Sequence, residues 1–442
     1  MARKKSTEGG GSSFNLLDVI TSADSSLEIL SKSQVGKIRE YIPTGHYTLN
    51  ASLSGSLFGG IPSGRIVEFA GEKGTGKSYL CMDCMREAQK MGYHCLLIDS
   101  ENSYDVTSLD RFGIDTDRLI LKQTNSIEEI GAIISKMTAN LMTQYEKQLA
   151  SDPDTEKPRL MIVIDSFGAL TTTSGIDQVA SGEAGKMNLT KQKYTAQFFR
   201  AVTTPLGQLD IPMILTNHVY VDQGSYVPTA KAAGGEALNY NASIIMMLSK
   251  AKLDGKDAIS DKLKQESEDL GIEIQSSGCI VTCNPTKTRF AKPIKSKFYI
   301  SFFTKNNPYI GLEKFLTWDN VGIERGKILE KREYEKLSDA DKAKCRKFDA
   351  LKDKDTGETA EKYFQPKETA RGYVVKHLGV SVPANKIFCK SVFTDEILDL
   401  LDEKVIRPNY ELPSKAEMMM EEDIDLSEGD SIKSAFDFSV EL

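Results

Sequence analysis

Residues 71–78 read Gly-Glu-Lys-Gly-Thr-Gly-Lys-Ser, a spacing that suits the binding of a chain of phosphate groups. Glycines in this loop permit positive φ angles, so that successive backbone N–H groups can turn toward one anion. Lys77 would reach the β- and γ-phosphates, and the Ser78 hydroxyl would hold Mg²⁺. We therefore predict a nucleoside triphosphate site. Its residues are Gly71, Glu72, Lys73, Gly74, Thr75, Gly76, Lys77, Ser78 and Tyr79.

The segments on either side of this loop are the elements that would position it. Residues 65–70 form an apolar run typical of a β-strand, and residues 79–85 have the pattern of a helix. A strand, a glycine loop and a helix N-terminus together make an anion-binding site. This context favours a phosphate loop over a chance glycine turn.

Two further apolar runs end in carboxylates. The run 160–165 ends at Asp165, which would bind Mg²⁺ through its water shell close to Ser78. The run 94–99 leads to Glu101, and ligands of such sheets bind at the carboxyl ends of the strands. Glu101 is either the base that deprotonates an attacking water or a solvated or helix-capping glutamate, and its position alone leaves both open.

A third run, 211–216, delivers Asn217 and His218 to the same edge, where polar groups can sense a γ-phosphate. A loop-edge histidine with no such role is the alternative. The loops 171–190 and 219–235 follow these strand ends and offer amides and cations that suit a nucleic-acid backbone. A role as an active-site lid is the alternative interpretation of these loops. The candidate DNA contacts are Lys186, Lys193, Arg200, Lys231, Gly234 and Gly235.

Strand-like runs alternate with helical stretches from Ile42 to about Ser301. This order predicts an α/β fold, a P-loop core with a mostly parallel central sheet and helices on both faces. The strand candidates are Ile66–Ala70, His94–Asp99, Leu160–Asp165, Pro212–Thr216, Ile244–Leu248, Ile280–Thr282 and Lys297–Phe302.

Shifts in composition divide the chain into four parts. Residues 1–40 read as an arm with an amphipathic, oligomerising segment, and residues 41–308 as the nucleotide- and DNA-binding core. Residues 309–412 are densely charged, and we expect a smaller, helical domain there. Residues 413–442 read as an acidic, flexible tail.

Charge and apolar composition exclude some classes of protein. The net charge is −7, but residues 417–442 carry nine carboxylates and one lysine, so the rest of the chain is near neutral and can bind nucleic acid. The seven cysteines complete no zinc pattern, and we expect reduced, packed thiols. No apolar run approaches the ~18 residues of a membrane helix and no signal-peptide core follows Met1, so we expect a cytoplasmic protein without a membrane partner.

Four segments resemble the RecA recombinases: residues 61–68, 98–101, 163–166 and 234–243. The resemblance covers about residues 35–305 and is closest to the UvsX recombinases of T4-like bacteriophages. That branch also has Asn-His where Asn217 and His218 stand, and an acidic C-terminal tail.

The resemblance implies a DNA-dependent ATPase that uses ATP and Mg²⁺. It would form helical filaments on single-stranded DNA in the host cell cytoplasm and catalyse homologous pairing and strand exchange with double-stranded DNA in recombination and repair. Phage single-strand-binding and loader proteins would be further partners. Two alternatives are a hexameric helicase on the same core, which the ~40 residues before the core disfavour, and a non-catalytic DNA-binding mediator. The intact set Lys77, Ser78, Glu101 and Asp165 argues against the mediator.

Site roles also follow from the resemblance, position by position. Glu101 matches the family's catalytic base, and His218 stands where bacterial RecA has a glutamine that links the γ-phosphate to the second DNA loop. Lys193 and Arg200 match positions that contact DNA phosphates.

Three further positions concern the neighbouring subunit and the base. Tyr240 matches an aromatic residue that packs into the next subunit, and Lys287 and Arg289 match paired cations that reach a neighbour's ATP. Asp105 matches a residue near the adenine amino group. Ser108 departs from the family, which has a base-stacking tyrosine there, so the mode of base stacking is open.

Overall fold

The protein is described here from a computed structural model. It describes residues 16–24, 27, 29, 36–181, 187–222, 229–232, 236–251, 278–301, 306–349 and 361–413. The strands up to residue 301 are β1 (Tyr41–Ile42), β2 (Ile61–Pro62), β3 (Ile66–Gly71), β4 (His94–Asp99), β5 (Leu119–Gln123), β6 (Leu160–Asp165), β7 (Met213–Asn217), β8 (Val219–Asp222), β9 (Thr229–Ala232), β10 (Ile244–Ala251), β11 (Gly278–Lys287) and β12 (Ser296–Ser301). The helices of this part are α1 (Leu16–Ala23), α2 (Tyr47–Ser54), α3 (Lys77–Lys90), α4 (Val106–Arg111), α5 (Ile127–Ser151), α6 (Thr173–Ser181), α7 (Met187–Gln208) and α8 (Glu236–Asn241).

Eight of these strands form the central sheet, in the order β12-β11-β10-β3-β7-β6-β4-β5. The six strands from β10 to β5 are parallel. At one edge of the sheet, β11 pairs antiparallel with β10, and β12 pairs antiparallel with β11. Every residue of β3, β6 and β7 is buried, as expected for strands with helices on both faces. The predicted α/β fold is therefore confirmed.

Alternate residues of β3 belong to two different apolar clusters. Val67 and Phe69 pack with α3 on one face of the sheet, whereas Ile66 packs with Ile130 of α5 and Phe199 of α7 on the other. Because side chains alternate across a strand, Glu68 faces the same side as Ile66. The parallel register brings the carboxyl ends together: Asp99 is level with Asp165, and Ala70 is level with Asn217.

All seven predicted strands are confirmed, although β11 is longer than its apolar run. The edge strand β5 was missed because it is short and partly exposed, with Ile120 and Leu121 facing solvent. The predicted amphipathic segment contains α1, and none of its residues is buried. Within the described residues we therefore find no docking of α1 on its own core.

The region after residue 309 is not the helical domain that we predicted from its charge. It contains a five-stranded antiparallel sheet in the order β14-β15-β13-β16-β17. Its strands are β13 (Ile323–Glu330), β14 (Arg346–Asp349), β15 (Glu361–Pro366), β16 (Gly372–Val375) and β17 (Val380–Pro383). The α-helices are short: α9 (Trp318–Val321), α10 (Lys331–Glu335), α11 (Asp339–Lys342), α12 (Asp395–Leu401) and α13 (Arg407–Tyr410). The prediction was wrong because exposed charges interrupt these strands and hide the alternation of their buried residues.

The helical segment that follows the smaller sheet packs directly on the core. Leu57, which follows α2, shares an apolar cluster with Leu401 and Tyr410. The buried carboxylate of Asp402 accepts hydrogen bonds from the Leu57 backbone N–H (2.6 Å), the Ser56 hydroxyl (2.9 Å) and Arg407 Nε (2.9 Å). This contact ties the two regions together, while the predicted boundaries at residues 40, 308 and 412 stay predictions.

The cysteines in the described residues carry free thiols, and five of the seven are buried. No cluster of three or more metal-ligating side chains occurs in the part of the chain that the structure describes. The helices described here are all too short or too polar to cross a bilayer. Residues 1–15 of the predicted arm region and residues 414–442 of the predicted tail lie outside the described residues.

Candidate functional site

The phosphate loop joins β3 to α3. Gly74 and Gly76 have φ angles of 76° and 82°, which L-residues with side chains rarely adopt. Gly71 does not have a positive φ, contrary to our prediction. The absence of a side chain at Gly71 instead lets the backbone of β10 approach closely, because a Cβ at this position would lie 2.6 Å from the Leu248 carbonyl oxygen.

Lys77 begins α3 and is largely buried, at 7% exposure. Its Nζ donates to the carbonyl oxygens of Gly71 (2.9 Å) and Glu72 (3.0 Å) within the loop. Burial lowers the pKa of Lys77, against the opposing effect of the carboxylates of Asp165 and Glu101. The ammonium is thus held at the mouth of the loop, next to two acids.

A cavity of about 290 Å³ lies between the loop and the carboxyl ends of the strands. It brings together residues from four separate parts of the sequence. Its lining residues are Lys73, Gly74, Gly76, Lys77, Ser78, Tyr79, Glu101, Asp165, Ser166 and His218. A larger cavity of about 630 Å³ lies near the other end of α3, beside His46 and Arg86, and contains none of the predicted site residues.

Ser78 and Asp165 are the predicted Mg²⁺ ligands. Asp165 is 3% exposed, and its two oxygens accept hydrogen bonds from the Tyr104 hydroxyl (2.5 Å) and from the Thr216 hydroxyl. Burial raises the pKa of the Tyr104 hydroxyl well above its ordinary value, against the opposing effect of the Ser78 side chain. A carboxylate and a hydroxyl are oxygen donors of the kind that Mg²⁺ prefers, so these residues fit the ion.

Glu101 is positioned by the strand that precedes it. The buried carboxylate of Asp99 accepts hydrogen bonds from the backbone N–H groups of Glu101 (3.1 Å) and Ser103 (3.2 Å). Asn102 has a φ angle of 54°, and this left-handed residue turns the chain directly after Glu101. The Glu101 side chain therefore projects from a turn that is anchored to β4.

His218 contacts Glu101 across the cavity, with 2.9 Å between Nε2 and Oε1. Partial burial acts to raise the pKa of Glu101, but hydrogen bonds from His218 and Ser166 outweigh it and hold the pKa below its ordinary value. Glu101 is thus ionised at neutral pH. His218 also directly precedes β8, so one residue joins the cavity to the β8–β9 hairpin.

Behind His218 lies a buried pair that we did not predict. Asn217 Nδ2 donates to Glu68 Oε1 (2.8 Å), and Asn217 Oδ1 accepts the backbone N–H of His218 (2.9 Å). Glu68 is fully buried, and burial raises its pKa to about 7, against the opposing hydrogen bond from Asn217. The available signal in the sequence was a carboxylate inside the apolar strand at 65–70.

Asp105 lies outside the cavity lining and caps α4. Its side chain accepts hydrogen bonds from the backbone N–H (3.0 Å) and the hydroxyl of Ser108. These bonds, chiefly the one from the hydroxyl, lower the pKa of Asp105. Ser108 therefore acts as a partner of Asp105 here. Tyr79 is among the residues that line the cavity, and its ring packs edge-on against Phe112.

Lys287 and Arg289 do not reach the cavity of their own chain. Lys287 Nζ donates to the carbonyl oxygens of Asn239 (2.5 Å) and Tyr240 (3.1 Å) at the end of α8. Tyr240 is 72% exposed, and Arg289 is also exposed. The predicted intersubunit residues thus gather on one surface.

The candidate DNA-binding residues divide between α7 and the β8–β9 hairpin. Lys193 and Arg200 are exposed and lie seven residues apart, which places them on one face of α7. In the hairpin, Tyr220 is 53% exposed and is paired in register with Lys231. Lys186, Gly234 and Gly235 lie outside the described residues.

A phosphate loop between a central parallel strand and a helix, with acidic strand ends beside it, defines a P-loop nucleotide-binding protein with a RecA-type core. The profile of the RecA N-terminal domain matches residues 21–275, more than half of the chain. This chain belongs to the RecA family.

Curated relatives agree with this assignment. The chain is similar to the RecA protein of Wolinella succinogenes, with 30% identity over 250 residues, which is 56% of this chain and 62% of the relative. It is also similar to the RecA protein of Fusobacterium nucleatum, with 28% identity over 273 residues, or 62% of each chain. The matched segments thus span less than two thirds of the length of these two relatives.

Proposed function

We propose that this chain is a DNA-dependent ATPase that forms helical filaments on single-stranded DNA and catalyses homologous pairing and strand exchange. The observation that carries the proposal is the meeting of Lys77, Ser78, Glu101, Asp165 and His218 around one cavity. His218 lies both in that cavity and at the start of the β8–β9 hairpin. The same residue can therefore respond to a triphosphate and move a DNA-binding loop.

The hydrolytic step in this proposal is attack of water on the γ-phosphorus of ATP. Glu101, ionised and in contact with the cavity, accepts the proton of the water, and the bond between the γ-phosphorus and the ADP oxygen breaks. Lys77 stabilises the negative charge that develops on the phosphoryl oxygens. Ser78, and Asp165 through the water shell of the ion, would hold Mg²⁺, which would neutralise phosphate charge.

Recognition of the nucleotide uses the loop and its neighbours. Residues 71–78 surround the phosphates with backbone N–H groups. Tyr79 lines the cavity, and Asp105 would approach the adenine amino group, as the resemblance implies. With Ser108 in place of the family's tyrosine, Tyr79 is the aromatic residue that remains to contact the base.

DNA binding in this proposal combines α7 with the hairpin. Lys193 and Arg200 offer two cations on one exposed face, which suits consecutive phosphates of a strand. Lys186, Lys231, Gly234 and Gly235 would add backbone and cationic contacts from the two loops. The protein would grip the DNA backbone, and base pairing would supply the recognition of sequence.

Self-association is supported by large apolar and aromatic side chains that are exposed to solvent. The apolar side chains of α1 are exposed, as is Tyr240. Arg289 and Lys287 face away from their own cavity and would complete the cavity of a neighbour. ATP would then lie between subunits and stabilise the filament.

The finer assignment that we propose is a recombinase of the UvsX type, acting in the cytoplasm of a host cell. Its support is the Asn217-His218 pair, the acidic residues 417–442 and the overall resemblance of the sequence. Phage single-strand-binding and loader proteins would be its partners. We also propose the domain limits 1–40, 41–308, 309–412 and 413–442.

Two experiments test this function against its alternatives. Phosphate release, measured with and without single-stranded DNA, should rise with DNA, and no release would favour a non-catalytic mediator. A joint-molecule assay with homologous and heterologous duplexes should give product only with the homologous one. Unwinding without homologous pairing, with closed rings in negative-stain images of protein, ATP and single-stranded DNA, would favour a hexameric helicase.

A further inference from the structure

The fully buried carboxyl group of Glu68 has no role in the chemistry described above. It lies in the middle of the central sheet, where β3 runs between β7 and β10, level with Leu215 and Ile245. One oxygen accepts the Asn217 hydrogen bond, and the other has no hydrogen-bond partner among the described residues. Because burial of a carboxyl group without full hydrogen bonding is costly, an apolar residue would pack at this position at lower cost.

What Glu68 supplies is an acceptor that determines the orientation of the Asn217 amide. Glu68 Oε1 receives the NH₂ group of Asn217, so the amide oxygen must face the other way. That oxygen accepts the backbone N–H of His218 at 2.9 Å. With the amide reversed, two N–H donors would face each other, and His218 would lose its anchor.

The backbone at Gly168 also restricts the position of the Asn217 amide. A Cβ on Gly168 would lie 2.5 Å from Asn217 Oδ1, so only glycine lets this backbone approach. The Gly168 carbonyl oxygen in turn accepts a hydrogen bond from Lys191 Nζ of α7 at 3.0 Å. Asn217 therefore lies where the end of β6, the DNA-facing helix and the start of the β8–β9 hairpin meet.

We infer that Glu68 is a positioning residue for ATP hydrolysis: by fixing the Asn217 amide, it holds the His218 backbone so that the imidazole stays against Glu101. The inference rests on the proposed role of Glu101 and His218 in hydrolysis. Glu68 itself touches neither the cavity nor the reacting atoms, since it is fully buried and is not among the lining residues.

The test compares three variants of the full-length protein. Glu68→Leu removes the acceptor, Glu68→Gln keeps an oxygen that can accept from Asn217, and Asp402→Asn is a matched control at another buried carboxylate, away from the cavity. We expect kcat to fall about ten- to a hundredfold in Glu68→Leu, as for a displaced catalytic group, with the affinity for a fluorescent ATP analogue within about twofold. Glu68→Gln should restore most of kcat, and Asp402→Asn should lower the melting temperature without changing kcat.

Two further readouts separate positioning from general destabilisation. The chain has four histidines, so the His218 signal can be assigned in the nucleotide-free protein labelled with ¹³C-histidine. This signal should move in Glu68→Leu to the position that it takes in Asn217→Ala. The kcat losses of these two variants should not add in the double variant, because both break one chain of contacts.

The inference is overturned if the His218 signal is unchanged in Glu68→Leu, if the losses are additive, or if kcat stays at the wild-type level. Glu101→Gln is measured in parallel. Hydrolysis at the wild-type rate in that variant would refute the proposed base itself. Loss of hydrolysis in Glu101→Gln with full activity in Glu68→Leu would refute only the positioning role.

Discussion

His218 Nε2 and Glu101 Oε1 lie 2.9 Å apart, although 117 residues separate them in the chain. The contact joins the start of the loop after β4 to the residue between β7 and β8. It places a titratable donor on a carboxylate that is proposed to accept the proton of water.

Replacing Glu101 by glutamine should abolish hydrolysis while leaving ATP binding intact. The amide keeps the shape of the side chain but cannot accept the proton, so turnover should fall at least a hundredfold. Filaments on single-stranded DNA should persist longer, because ATP is not consumed. Phosphate release and nucleotide binding measure the two effects, with the exposed Asp110→Asn as a carboxylate control. Near wild-type hydrolysis would exclude Glu101 as the base.

Replacing His218 by alanine should shift the acid limb of the kcat–pH profile toward higher pH. Burial raises the pKa of Glu101, and the His218 hydrogen bond is first among the contacts that lower it. Without His218 the pKa of Glu101 rises, so the base becomes protonated earlier as the pH falls. His94→Ala, at an exposed histidine at the start of β4, should leave the profile unchanged. An unmoved acid limb in His218→Ala would contradict the assigned contact.

Removing both Lys287 and Arg289 should damage hydrolysis and ATP-induced assembly. Neither side chain lines the cavity of its own chain, so the loss would have to come from a neighbouring subunit's site. Mixing this double alanine variant with Lys77→Ala should restore activity, since some interfaces then combine two intact halves. Lys295→Ala with Lys297→Ala, two exposed cations at the same spacing, is the control. Absence of recovery at every mixing ratio would argue against a shared site.

Truncation after Ala416 should raise affinity for duplex DNA and move dissociation to higher salt. The removed residues carry a charge of −8 beside a body near neutral, so they can compete with DNA for cationic surfaces. Free Mg²⁺ should reduce the difference by screening the carboxylates. A full-length tail with its acids changed to amides controls for length. If duplex binding has the same salt dependence with the wild-type tail and with the amide-substituted tail, the tail does not compete with DNA. A role in solubility or in docking a partner protein would then stand instead.

Sequence alone determined the parts of this protein that depend on neighbours in the chain. The phosphate loop at 71–78 is a local backbone conformation, and the apolar runs of β3, β4, β6 and β7 predict buried parallel strands because both of their faces are covered. The positions of Asp165, Glu101 and His218 at strand ends followed from the same pattern. The expectation that these three residues lie close together at one edge of the sheet followed from this pattern too.

Tertiary structure decided what depends on residues far apart. Two of our expectations failed for this reason: Gly71 allows the close approach of β10 rather than a positive φ, and residues 309–412 contain a sheet rather than a helical domain. The contact between His218 and Glu101 was not predicted, because the sequence does not give the order of the strands that brings the two residues together. The role proposed for Glu68 could not be predicted from the sequence. It depends on the Asn217 amide, which strand pairing brings within hydrogen-bond distance of the buried carboxyl group.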